Sequence, residues 1–118
     1  HASASGKMLL SSMSEEEIDA LYPQQELETF TSRTISHVSQ LKEELAKVRA
    51  MGIAYNFEES VEGLHCVAGP ICDMEGKVVA SVSVSIPIVR IKDDLWERTQ
   101  HWIKKSCQDI SNKVYRQN

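Results

Sequence analysis

Lys77-Val78-Val79-Ala80-Ser81-Val82-Ser83-Val84-Ser85-Ile86 alternates strictly between apolar and hydroxyl side chains over its second half. A period of two is the signature of a strand with two different faces. Val78, Ala80, Val82, Val84 and Ile86 are expected on one face, which needs a core. Val79, Ser81, Ser83 and Ser85 are expected on the other. Pro87 follows and closes the strand, because it has no amide hydrogen for a ladder.

The partner of this strand lies just upstream. Asp73-Met74-Glu75-Gly76 is a turn sequence, with Asp able to bond local amides and Gly tolerant of positive φ. Residues 63–71 and 77–86 therefore read as an antiparallel hairpin. Leu64, Cys66 and Ala68 share one face of the first arm, with His65 and Val67 opposite. Residues 53–58 give a further short strand.

Helices flank the strands. Val38, Leu41, Leu45 and Val48 recur at spacings of three and four, and Gly52 stands where a C-cap glycine belongs. Lys42, Glu43, Glu44, Lys47 and Arg49 are expected on a solvated face with local ion pairs. Ser14 and Glu17 have the spacing of a capping box, for a short helix ending near Tyr22-Pro23. Before it, residues 8–13 are apolar and helical, with Ser3 or Ser5 as the cap. Residues 26–36 are polar and ambiguous. After the strands, Asp93 or Asp94 caps a long helix whose inner stripe is Trp96, Thr99, Ile103, Cys107, Ile110 and Val114. Helices, strands, helix: the fold class expected is α+β, an antiparallel sheet packed against helices.

Composition narrows the function. The 118 residues are 42% hydrophobic and 25% charged, with net charge −4, so one globular domain is expected and a free-standing nucleic-acid binder is not. No apolar run is long enough to span a bilayer, the opening residues do not read as a basic-then-apolar leader, so none is expected, and three scattered cysteines suggest no disulfide framework. These point to a cytoplasmic protein without membrane contact. The chain begins with His1 and not Met, as a segment of a longer protein would.

The hydroxyl row admits two readings: a solvated sheet face, or the floor of a pocket whose serines donate to an anion. Cys66 on the neighbouring strand favours a pocket, since cysteine is usually buried. An enzyme reading would need Cys66 activated by His65 or His37. Adjacent strand residues point to opposite faces, so His65 cannot serve, and no third orienting group is evident. No catalytic residue is assigned. Cys66 and Cys72 are too far apart in sequence for one ion, and no paired-ligand motif occurs, so neither metal nor cofactor is expected. Leu95, Trp96, Trp102 and Val114 offer an alternative reading as an oligomerisation surface without a small-molecule ligand.

The motifs, taken in order, resemble a family. His1-Ala2-Ser3-Ala4-Ser5-Gly6-Lys7, then Glu58-Glu59, then Gly63-Leu64-His65-Cys66-Val67-Ala68, Asp73-x-x-Gly76, Ala80–Pro87 and Arg90 are similar to the C-terminal effector domain of IclR-type bacterial transcription regulators. The resemblance covers essentially the whole chain. It implies a GAF-like fold, here truncated: residues 1–118 as a partial effector-binding domain, without its N-terminal strands and without the winged helix-turn-helix that reads DNA. It implies an effector that is a small carboxylate or sugar acid, DNA contact only through the missing N-terminal domain, and a homodimer or homotetramer. It carries effector contacts onto the amides of Ala4 and Ser5, and onto Asn56, Leu64, Cys66, Ser83 and Ser85. Related proteins often carry Asp where this chain has Asn56. The cradle expected from these residues is a carboxylate over the amides of Ala4–Ser5–Gly6, with the serines and Asn56 bonding its remaining polar atoms.

Overall fold

The computed structural model describes residues 1–115. Helix α1 (Ala4–Leu10) starts earlier than the apolar run alone predicts, because Ser3 supplies the cap: its side chain accepts the Gly6 amide. Helix α2 (Glu15–Leu21) has the full capping box, Ser14 and Glu17 each accepting the other's backbone amide. Helix α3 (Val38–Met51) buries the predicted Val38, Leu41, Leu45 and Val48, and ends at Gly52 with φ of 69°. Ile18, Leu27, Val38, Leu41 and Leu45 form one buried cluster that locks α2 against α3. The ambiguous stretch before α3 makes a single antiparallel bridge, Glu26 to His37.

Three antiparallel strands follow, β1 (Ala54–Phe57), β2 (Leu64–Cys72) and β3 (Val78–Pro87), ordered β1-β2-β3. The β2–β3 turn is set by Asp73, whose Oδ1 accepts the amides of Glu75 and Lys77. After β3 a 3₁₀ turn (Ile88–Arg90) leads to helix α4 (Leu95–Tyr115). Asp94 precedes α4, and its carboxylate takes the Nε of Arg98 at 3.0 Å.

Both faces of the sheet carry helix. Val67 of β2 packs with Ile53 and with Ile103 and Cys107 of α4, and Val82 and Val84 of β3 pack against this cluster. Gly69 permits that approach: a Cβ there would meet Cys107 Sγ and Ile103 Cγ2 at 2.8 Å each. On the opposite face Ala4 and Met8 of α1 join Val48, Ala54, Cys66 and Ala68 in a second buried cluster.

Two sequence expectations are corrected. Val78 does not share the face of Val82 and Val84. A register shift at Ile71/Cys72 pairs Cys72 with Val78 and leaves Val79 outside the ladder, so Val78 turns toward α1. The stripe of α4 also ends sooner than its periodicity suggests. Ile103, Cys107 and Ser111 are buried, whereas Val114 is exposed because the helix has run past the sheet. Trp102 is 55% exposed.

Candidate functional site

The register of the sheet places the sequence-predicted residues in order. Asn56 pairs with Cys66, and Cys66 pairs with Ser85. The next row toward the far end of β2 is Ala54, Ala68 and Ser83. These residues alternate with the valines that face α4, so they present themselves to the α1 side. Two alanines in the second row leave room for a backbone to come close, and α1 lies there with Ala4 buried in the same cluster as Ala54, Cys66 and Ala68. Ser81, one step further along β3, reaches the Ser5 carbonyl at 3.5 Å.

Ala4, Ser5, Asn56, Cys66, Ser83 and Ser85 are thus brought around one end of α1. Leu64 is half-buried on β2, two residues from Cys66 on the same face and paired with Pro87. Cys66 is buried, and its Sγ lies 3.1 Å from Ser85 Oγ. Ser83 and Ser85 are exposed. The arrangement is an open, solvent-facing surface at the β3 edge and not an enclosed pocket. The hydroxyl row is therefore covered by α1 near Ser81 and accessible to solvent near Ser85, a mixture of the two readings posed by the sequence.

Two details of the expected cradle change. The Gly6 amide donates to Ser3 Oγ at 2.9 Å and is spent on the cap, which leaves Ala4 and Ser5 as the amides at the helix start. Asn56 is 2% exposed and its amide is already engaged. Nδ2 donates to the Ala2 carbonyl at 2.8 Å and to Ser60 Oγ at 2.9 Å, while Oδ1 accepts the Glu59 amide at 2.8 Å. Both donor hydrogens are used, so what Asn56 does in this structure is hold the segment before α1 against the β1–β2 loop.

Sequence reading assigned no role to Lys7, which lies one turn along α1 from Ala4 and is fully buried. Its Nζ donates to Glu44 Oε2 at 3.1 Å and to the Tyr55 carbonyl at 2.8 Å. Glu59 Oε1 lies closer still, at 2.6 Å, yet it makes no aligned hydrogen bond. That contact is an ion pair held by charge. Glu59 Oε2 accepts the Phe57 amide at 3.0 Å, and the Glu59 carbonyl accepts from Thr34. Glu44 was expected on the solvated face of α3. It is a half-buried partner of Lys7 instead, because α1 crosses that face of the helix. A buried lysine between two glutamates gives no periodic signal. Lys7 and Glu58-Glu59 stand in the sequence as separate motifs, and nothing in it pairs them.

On the α4 side, Tyr55, Phe57, His65 and Trp96 form an aromatic cluster, with His65 edge-on to both Phe57 and Trp96. Burial pushes the Tyr55 phenol above its ordinary range, and its hydroxyl donates to Gln100 at 2.5 Å. Burial likewise pushes the Cys107 thiol up. A groove of about 720 Å³ between α4 and the β3 edge is lined by Val84, Leu95, Thr99 and Trp102. It lies on the opposite face from the serine row. Among the described residues no group of three or more His, Cys, Asp or Glu is placed to hold a metal ion, and no helix is long and apolar enough to cross a membrane.

The chain can now be set beside known proteins. The family described as bacterial transcriptional regulator IclR C-terminal matches residues 1–112. The HTH-type transcriptional repressor AllR of Escherichia coli K12 is 36% identical over 114 residues, covering 97% of this chain and 42% of AllR. The C-terminal domain of the E. coli transcriptional regulator KdgR superposes with a TM-score of 0.85 at 30% identity, covering 96% of this chain and 69% of that one. The PobR inducer-binding domain of Acinetobacter, solved with 3-hydroxybenzoic acid, has a TM-score of 0.87 at 23% identity, covering 97% of this chain and 66% of that one, and shows the fold alone. The chain spans about two-fifths of the length of the repressor it matches. The α+β, GAF-like architecture expected from the sequence is the fold of these regulator domains. With both its sequence and its fold matching over nearly its full length, the chain belongs to the bacterial transcriptional regulator IclR C-terminal family.

Proposed function

We propose that the surface between the first turn of α1 and the serine row of β3 is the effector groove, that it holds a small carboxylate or sugar acid, and that its occupancy controls DNA binding by the full-length regulator. The observation that carries this reading is the row Asn56–Cys66–Ser85 beside Ala54–Ala68–Ser83. It sets two exposed hydroxyls and a buried thiol next to a helix start. The amides of Ala4 and Ser5 have no acceptor within their own helix, and they carry the positive end of its dipole. Ser83 and Ser85 can each donate to an oxygen of the guest. Leu64 and Cys66 give the apolar wall.

Neutral hydrogen bonds contribute about 0.5–1.5 kcal/mol each and charge-assisted ones roughly twice that. Three or four of them correspond to dissociation constants in the micromolar to millimolar range, a range suited to sensing a metabolite. In this reading DNA is contacted by the part of the regulator that corresponds to the unmatched length of AllR. The acidic balance of this segment supports that division. The protein is cytoplasmic, acts without catalysis, and assembles as a homodimer or homotetramer. Exposed Trp102 and the groove beside Val84 are the apolar surface available for contact between copies.

A thermal-shift panel of pyruvate, lactate, gluconate and 3-hydroxybenzoate tests the proposal. These span 2-oxo, 2-hydroxy, sugar and aromatic acids. A ligand selective for the native state raises Tm. A concentration-dependent rise with at least one acid is expected. No rise with any of the four at millimolar concentration contradicts it.

A further inference from the structure

We propose that Lys7 is a positioning residue for the effector groove, and that Glu44 tunes acid affinity through it, linking helix α3 to the ligand. This inference rests on the effector reading above and assigns an additional role to residues outside the groove.

Lys7 lies in the same short helix as Ala4 and Ser5, one turn further on, and its ammonium is fully buried. A buried charge persists only when it is paired and bonded. Here the pairing comes from three directions. Glu44 belongs to α3, Tyr55 to β1, and Glu59 to the loop between β1 and β2. The position of α1 over the sheet is thereby fixed by one cation that three elements share. The same loop is bonded to Asn56, which holds the Ala2 carbonyl just before the helix. One of the polar links from the segment preceding α1 to the rest of the domain, Asn56 to the Ala2 carbonyl, thus runs through the loop that carries Glu59, while His1 bonds the Glu28 carbonyl separately.

The two carboxylates differ. Glu59 is 9% exposed at its side chain and its Oε2 is committed to the Phe57 amide. Glu44 is 31% exposed at its side chain and, among the described residues, bonds only Lys7. The formal charge of the trio is −1 with both glutamates ionised. An acid over the serine row of β3 adds a further negative charge across the sheet from the ammonium, which is held at β1, and screening by water through the buried interior between them is incomplete. Moving or neutralising Glu44 frees more of the lysine's positive field for the guest. By reciprocity, an acid in the groove weakens the hold of Lys7 on Glu44, and so on α3. Glu44 therefore discriminates by charge. It should alter the affinity for an acid and leave a neutral analogue of the same shape untouched, which a merely structural role would not do.

The experiment uses isothermal titration of the 118-residue protein with two matched pairs, pyruvate against pyruvamide and 3-hydroxybenzoate against 3-hydroxybenzamide. Glu44→Gln keeps an acceptor for Lys7 Nζ and removes the charge at a half-exposed position, so the fold is retained. Glu43→Gln makes the same change of net charge at an exposed neighbouring position. The expected result is a roughly two- to tenfold gain in acid affinity for Glu44→Gln, no change for the amide, and no change of either in Glu43→Gln. An unchanged acid-to-amide ratio in Glu44→Gln overturns the inference while leaving the effector reading intact. An equal gain in Glu43→Gln overturns it too, since general net charge would then be the cause. Failure of the unaltered protein to bind either acid overturns the effector reading and this inference together.

Discussion

Lys7 Nζ stands 2.6 Å from Glu59 Oε1, with the lysine fully buried and the glutamate side chain 9% exposed. This contact joins α1, the helix laid directly on the serine side of the sheet, to the loop that closes β1. Its value to the fold lies less in the attraction gained than in the charge that would be left bare without it. Removing one member of a buried pair costs about 3–5 kcal/mol, because the partner stays buried and uncompensated.

Lys7→Met should therefore destabilise the domain by about 3–5 kcal/mol. Denaturant unfolding would show it as a lower midpoint with little change in slope. Lys7 leaves two glutamates behind, so this loss should exceed that of Glu44→Gln, which retains the hydrogen bond.

Asn56→Asp tests the role of the amide. Its two donor hydrogens go to the Ala2 carbonyl and Ser60 Oγ. A carboxylate would face the carbonyl acceptor to acceptor and sit beside Glu59. The expected cost at neutral pH is about 1–3 kcal/mol, and it should shrink as the pH is lowered and the new carboxyl takes up a proton. A penalty that does not depend on pH would show that shape, not charge or donors, matters at this position.

Gly69→Ala places a methyl against Cys107 Sγ and Ile103 Cγ2, each at 2.8 Å. Overpacking of this kind costs about 1–3 kcal/mol. Adding Cys107→Ala removes one of the two clashes, so the double variant should regain part of the loss. A double-mutant cycle with no coupling would place the strain elsewhere.

Burial holds the Tyr55 phenol above its ordinary range. Below that range the phenol is neutral in both folded and unfolded states, and its contribution is complete. As pH rises past the unfolded value of about 10, the unfolded chain releases its proton first, so stability falls with pH. Tyr55→Phe should flatten the alkaline part of the stability curve. An equal alkaline loss in the variant would assign it to other groups.

The fold was legible because its patterns are local. The 3,4 spacing of Val38, Leu41, Leu45 and Val48, the Ser14–Glu17 box and the alternation around Ser83 each report their own backbone geometry. The motif order around Cys66 and the serine row pointed to the α1 side of the sheet, where the register does place them. What stayed hidden depends on contacts far apart in sequence. Glu44 looks solvated until α1 is laid across α3. Val78 looks aligned with Val82 until the bulge at Cys72 turns it over. The Asn56 amide looks free until Ala2 and Ser60 arrive beside it. The exposure of Ser83 and Ser85 depends on what lies beyond the β3 edge, and alternation cannot report that.

The most direct test of the effector groove is titration of the best-binding acid of the panel into the Ser83→Ala/Ser85→Ala double variant. Both serines are exposed, so the fold should survive the change. The account predicts a loss of affinity of about tenfold or more from two missing donors, with unaltered stability in the absence of acid. Undiminished affinity in a normally folded double variant would contradict it.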